Sequence, residues 1–357
     1  MKLIHILLIL IFLFVSVPAQ ETVDLGIEAD FYEMQADAKG VVHVFWMRKG
    51  TPYYGQLYKN EIINQEQIPG TGYIAVNKYR PRISVTPDGD EVHIAYTSKE
   101  IDPKEIKHVY KDSSGWHVKL AYTADYGRSV QYAAGAVDAT GTYHIVAVRY
   151  RNTSNEIPVI YLRRERGGEY VFKDYLSPKA FRNIWPDIYN DKDGNVHAVW
   201  SINKVTIHYR FAEAGGDLSE SPTIDIPMIR NSAKQPDIFV DKNNNVHLAY
   251  LSYDKPGRQV DMGYSYASLD DLDFSETVHC NPELIKMEGH YHDDPVIAAI
   301  DPDNVWIAWA QETETNQITK VRLAKKVEGV WGNDLIKLDS ASLLKTDSKP
   351  AIAMSKS

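Results

Sequence analysis

One phrase recurs along this chain and limits what it can fold into. Pro186 to Trp200 reads P-D-I-Y-N-D-K-D-G-N-V-H-A-V-W, a short strand, an Asp-x-x-Gly turn, and a second strand carrying a histidine and ending in an aromatic. Close copies begin at Pro81 and Pro236. Weaker ones run from Met34 to Trp46, from Gly135 to His144 and from Pro295 to Trp309, where Trp306 stands in the histidine's place. The markers His43, His93, His144, His197, His247 and Trp306 are spaced by 50, 51, 53, 50 and 59 residues. A strand hairpin repeated at that period predicts an all-β chain, a β-propeller of four-stranded antiparallel blades. Six blades are expected. Seven is the alternative, because another copy begins at Lys349–Met354 and stops. In the six-bladed reading that strand meets the stretch Thr22–Ile27 at the seam, which leaves no open edge.

The first residues read as a targeting segment. Lys2 is followed by the apolar run Leu3–Val17 and by Val17-Pro18-Ala19, a small-residue cleavage pattern. The run is shorter than the roughly 20 residues that span a bilayer, so no membrane span is expected. Residues 1–19 are therefore expected to be a signal peptide and 20–357 a single propeller domain, secreted to the periplasm or the exterior and monomeric. The lone Cys280 cannot form an internal disulfide. A net charge of -9 argues against nucleic acid, whose binding rests on neutralising phosphates.

Within one repeat, Pro186 is expected to begin the innermost strand, Asp191 to Gly194 to turn, and Val196 to Trp200 to form the second strand. Val205 to Phe211 is the third strand, and the fourth lies near Ile224 to Met228. No sustained 3.6-residue apolar period marks a helix. Five histidines at equivalent sites in a ring cannot converge on one ligand. Each is expected to bond a backbone carbonyl or the turn carboxylate of its own hairpin, since buried polar groups need partners.

Function is expected where the repeats differ and point the same way, on the face reached just before the innermost strand and just after the second. That face gathers Tyr79, Arg80, Arg128, Tyr132, Arg182 and Trp185 ahead of inner strands, and Arg149, Tyr150, Tyr253, Gln311 and Glu312 after second strands. Guanidinium forks suit carboxylate or sulfate, and aromatic faces suit sugar rings. The segment His279 to Asp294 breaks the repeat most. His290, His292 and Asp294 are its candidate metal ligands, with zinc or calcium the ion considered and the cofactor left open.

The hairpin D-x-D-G-N-V-H-A-V-W with its P-D-I lead-in resembles the repeats of secreted bacterial β-propellers of the sialidase-like, BNR-repeat group. The resemblance covers most of residues 20–357 and implies a polysaccharide or other glycan as partner, with uronate-containing glycans among the group's substrates. Two classes of function follow. One is a carbohydrate-active enzyme. As a lyase, Arg128, Arg149 or Arg182 would neutralise the uronate, and His290, His292, Tyr132 or Tyr150 would move protons. As a glycoside hydrolase, Glu312 with Asp293 or Asp294 would supply the two carboxyls. The substrate-binding set is Tyr79, Arg80, Trp185, Tyr253, Gln311 and Glu312. The other class is a non-catalytic glycan- or protein-binding propeller that uses the same face.

Overall fold

A computed structural model describes residues 31–332 apart from 59–60, 72–80, 99–104, 126, 152–156, 178–182, 203–205, 228–231, 256–257, 275–276, 280–289 and 314–317. Side chains are described throughout these except at 58, 151, 183, 232, 253–261, 277–279, 290–294 and 311–322. The expected signal peptide, the seam strands, Cys280, Tyr79, Arg80 and Arg182 lie outside the described residues.

Six four-stranded antiparallel sheets follow one another along the chain as a six-bladed β-propeller, with no helix among the described residues. Blade 1 is β1 Phe31–Ala36, β2 Val42–Arg48, β3 Thr51–Tyr58 and β4 Glu61–Gln67. Blade 2 is β5 Arg82–Val85, β6 Val92–Thr97, β7 Glu105–Asp112 and β8 Gly115–Thr123. Blade 3 is β9 Arg128–Val137, β10 Tyr143–Arg151, β11 Val159–Arg164 and β12 Val171–Tyr175. Blade 4 is β13 Asn183–Asn190, β14 Val196–Ile202, β15 Thr206–Ala212 and β16 Ile224–Ile226. Blade 5 is β17 Ser232–Val240, β18 Asn245–Lys255, β19 Arg258–Ser268 and β20 Thr277–His279. Blade 6 is β21 His290–Asp301, β22 Asn304–Thr313, β23 Ile318–Val327 and β24 Val330–Trp331. Each blade's first strand is innermost, and consecutive innermost strands lie against one another from β1 to β21.

The second strands are apolar on both faces because a neighbouring blade covers each. Blades 4 and 5 share Val199, Tyr209, Ile238, Leu248 and Tyr250, all buried. Blades 3 and 4 share Val146, Tyr161, Ile188, Val196 and Trp200. The hairpin turns are built as their residues require. Asp191 Oδ1 accepts the N–H groups of Asp193 and Asn195, both at 2.9 Å. Gly194 takes φ 76°, and a Cβ there would lie 2.4 Å from Ala139 of the next turn. Glycine meets both demands.

Four repeated histidines are tied by one device. The turn carboxylate six residues earlier meets Nε2, and a third-strand tyrosine hydroxyl meets Nδ1. The sets are Asp37–His43–Tyr54, Asp138–His144–Tyr161, Asp191–His197–Tyr209 and Asp241–His247–Tyr264. In blade 4 the two distances are 3.2 and 2.8 Å. An ionised carboxylate only accepts, so Nε2–H donates to it, and the tyrosine O–H donates to Nδ1 of a neutral imidazole. The electrostatics agree. Burial lowers the pKa of His43 and His247 and raises that of Tyr54 and Tyr209. Burial opposes ionisation of Asp191 and Asp241, but the histidine bond and the turn's other donors win and hold both carboxyls low. Blade 2 substitutes Glu91–His93–His108, closed by the Tyr170 hydroxyl of blade 3 at 2.6 Å from His108 Nδ1. Tyr209→Phe strands His197 Nδ1 without a donor. It is expected to cost about 1–3 kcal/mol in urea unfolding while leaving any activity at the channel unchanged.

The innermost strands differ from expectation at their start. Pro186 does not open its strand; β13 begins at Asn183 and carries Trp185–Pro186 as a bulge opposite Trp200. Gln235–Pro236 opposite Tyr250, Tyr132–Ala133 opposite Ala147 and Asp294–Pro295 opposite Trp309 repeat the irregularity in blades 5, 3 and 6. In blades 4, 5 and 6 the bulge interrupts the ladder where proline has no N–H to give, so the strand continues past it, and Ala133 holds the same place in blade 3.

Candidate functional site

The register aligns one inner-strand position across all blades, the residue facing the second strand two places past the marker. It is Glu33, Arg82, Ala134, Asp187, Asp237 and Val296 in blades 1 to 6. Four of the six carry charge, and they meet across the channel. Arg82 Nη1 donates to Asp187 Oδ2 and to Asp237 Oδ1, each at 2.8 Å, and Nη2 reaches the Ile238 carbonyl at 3.3 Å. Arg82 Nε lies 3.9 Å from Glu33 Oε1. Asp237 Oδ2 also accepts the Ile297 N–H of blade 6 at 2.8 Å. One guanidinium therefore joins blades 1, 2, 4 and 5.

Beneath this cluster, toward the hairpin turns, a neutral polar layer closes the channel. Asn190 Oδ1 accepts from Gln35 Nε2 and Ser84 Oγ, both at 2.9 Å, and its Nδ2 donates to the Val85 carbonyl. The charged cluster thus sits at the opposite mouth. Its members are graded in access: the Arg82 and Glu33 side chains are 15% and 17% exposed, Asp187 9% and Asp237 3%. Burial drives the Asp187 pKa well above the usual carboxylate range. Arg82 opposes that rise, whereas Asp237 and Glu33 add to it. Like charges this close do not all ionise together, and within the group burial favours the protonated form of Asp187.

The expected site residues divide in the structure. Tyr132, Tyr150 and Trp185 come together, partly exposed, around Val148, Ile157 and Ile184 between blades 3 and 4. Tyr132 and Trp185, with Gln235 in blade 5, take left-handed backbone angles of 54°, 53° and 49°. Each stands two residues before the aligned channel position, and sparsely populated angles of this kind are held only where the surroundings over-determine them. Arg149 and Arg128 converge elsewhere. Arg149 Nη2 donates to Asp125 Oδ2 at 2.6 Å and Nη1 to the Tyr175 hydroxyl, while Arg128 lies 3.9 Å from the same Asp125 oxygen. His290 and His292 lie in β21 opposite Thr313 and Gln311, Asp294 in its bulge, Glu312 opposite Tyr291, and Tyr253 opposite Ser232. Their side chains are outside those described. Among the described residues no three His, Cys, Asp or Glu side chains are grouped to hold a metal ion.

The cluster itself was missed by reading the sequence, although a signal for it exists. P-R-I at Pro81 and P-D-I at Pro186 and Pro236 place Arg82, Asp187 and Asp237 at one letter of the repeat. Attention to the loops passed over a position inside the strand.

No family model matches the sequence, and no curated protein sequence matches it. Solved structures do. A triple arginine-to-alanine mutant of AofleA from Arthrobotrys oligospora superposes with a TM-score of 0.53 at 9% identity, over 92% of this chain and 94% of that one. A protein of unknown function from Dyadobacter fermentans gives 0.53 at 10% identity, over 82% and 92%. An α-L-arabinofuranosidase from Fusarium graminearum, in complex with an iminosugar inhibitor, gives 0.50 at 11% identity, over 78% and 87%. The shared property is the fold. At these identities the chemistry has to be argued from this chain's own residues.

Proposed function

We propose that this chain is a secreted, monomeric glycan-acting propeller that hydrolyses a glycosidic bond over the mouth of its central channel. The observation that carries the reading is a juxtaposition. Trp185, packed with Tyr132 and Tyr150 into a partly exposed aromatic surface, stands two residues from Asp187, the proton-carrying carboxyl of the channel cluster. Glycoside hydrolysis asks for two carboxyls in different protonation states, one to protonate the leaving oxygen and one to assist attack from the other side. Asp187 suits the acid. Glu33, the most exposed carboxylate on Arg82, suits the base or nucleophile. The α-L-arabinofuranosidase of like fold makes the architecture a known host for such chemistry.

The likeness to the sialidase-like, BNR-repeat group belongs to this proposal, resting on the D-x-D-G-N-V-H-A-V-W hairpins. The uronate substrate and lyase chemistry have less support than hydrolysis. Arg149 and Arg128 converge on Asp125, and among the described residues the channel cluster holds three carboxyl groups to one guanidinium. A neutral glycan fits that balance better.

Trp185→Ala tests the surface. Calorimetric titration with oligosaccharides is expected to show binding about three- to tenfold weaker than wild type, the loss of one aromatic contact. Unchanged binding by a folded variant would remove the aromatic surface from the site.

A further inference from the structure

A second cavity opens on the opposite face, where the hairpin turns lie. It has a volume of about 200 Å³ and sits between blades 1 and 2, lined by Tyr54, Gln56, Asn64, Asp90, Lys111 and Asp112 among others. Its lining comes from the second to fourth strands and the hairpin turns of these two blades and shares no residue with the channel cluster, so it is no extension of the site already described.

Two features mark it as more than a gap between blades. Asn64 stands in the middle of β4 with a left-handed backbone angle of 52°, where the pairing of β3 with β4 slips between Tyr54 and Gln56. Its side chain is held in place, Nδ2 donating to Gln56 Oε1 at 2.8 Å. One Gln56 amide N–H is engaged by the Tyr54 hydroxyl, and the strained, exposed asparagine locked to this glutamine presents the other N–H and the Asn64 carbonyl to the cavity. The second feature is Lys111, which is paired with Glu66 and lies 5.4 Å from the Tyr54 ring centre and 5.8 Å from that of Trp116. Its ammonium is anchored as part of the wall.

We infer that this cavity binds one neutral hexopyranose unit. A sugar's vicinal hydroxyls each donate and accept, and the wall answers both ways: Asp90 and Asp112 accept, Lys111 donates, and the Asn64–Gln56 pair does both. The Tyr54 side supplies an apolar surface, and the volume is that of about one sugar ring. The charges choose within the class. Two carboxylates and the Glu66 partner of Lys111 disfavour a uronate, and the diamine in the titration decides whether the same acidic balance takes a cation in place of a sugar. The cavity would hold a glycan to the face away from the channel mouth, whatever happens at that mouth.

The test titrates methyl glucoside, methyl galactoside and methyl mannoside, with glucuronate and a simple diamine for comparison, into three proteins: wild type, Trp185→Ala and the double variant Gln56→Ala/Asn64→Gly. Glycine accepts the left-handed angle at 64, and near-ultraviolet circular dichroism checks that each variant is folded. One or more neutral methyl glycosides should bind wild type and Trp185→Ala alike, and the double variant at least about tenfold more weakly, as expected for two lost hydrogen bonds. The inference fails if wild type binds none of them, if Trp185→Ala alone loses binding, if the double variant binds as wild type does, or if glucuronate or the diamine binds as well as the neutral sugars. Loss in Trp185→Ala alone would place the bound sugar at the channel mouth instead, and the other outcomes leave the reading of that mouth untouched.

Discussion

Replacing Arg82 with methionine is expected to destabilise the propeller by about 3–5 kcal/mol, more than any substitution on its surface. Among the described residues Arg82 is the one cation paired with Glu33, Asp187 and Asp237, and its guanidinium spans four blades. Methionine keeps the side chain's bulk and removes the charge, which leaves three carboxyl groups crowded in a nearly buried space. They respond by holding protons. Their folded pKa values then stand above the unfolded ones, so the stability these groups contribute is present at low pH and lost as pH rises through the folded values. The deficit of Arg82→Met against wild type should accordingly be smaller near pH 5 than near pH 8, about the two ends of the window in which a raised carboxyl such as Asp187 changes state. A deficit independent of pH would mean that Arg82 acts through packing alone.

The second large effect is catalytic. Asp187→Asn keeps an oxygen to accept from Arg82 and removes the transferable proton. Glycan hydrolysis should fall by about 10²–10⁴-fold, the usual contribution of a positioned general acid. Stability should hold or rise, because a carboxyl whose pKa is raised by burial opposes folding at neutral pH. This pairing separates function from architecture. A side chain kept only to tie blades together would lose stability on substitution, and one kept for chemistry loses turnover. Retained glycan binding in the variant would place the defect in the chemical step.

How much of this was legible from the residues depends on whether spacing is fixed. The hairpins were, because D-x-x-G followed by an alternating strand recurs at a nearly constant period. So was the tie between turn carboxylate and histidine, which spans six residues in blades 1, 3, 4 and 5, as from Asp191 to His197 and from Asp241 to His247. The tyrosine completing each set was not, because it stands 11, 17, 12 or 17 residues beyond the histidine as the second turn changes length. The sequence expectation put Tyr132, Tyr150 and Trp185 on one face, but their meeting around Val148, Ile157 and Ile184 follows from bulges that no local pattern announces, since a proline reads equally well as a strand start. The convergence of Arg149 on Asp125 crosses 24 residues and a blade boundary, and composition carries no trace of it.

The most direct test of the central claim is product analysis. The protein would be mixed with a panel of neutral and uronate-containing polysaccharides and aryl glycosides, following both new reducing ends and the ultraviolet absorbance of an unsaturated uronate. The account predicts new reducing ends from at least one neutral glycan, with no rise in unsaturated product and no release by Asp187→Asn. Unsaturated product, or binding across the panel without any cleavage, would contradict it.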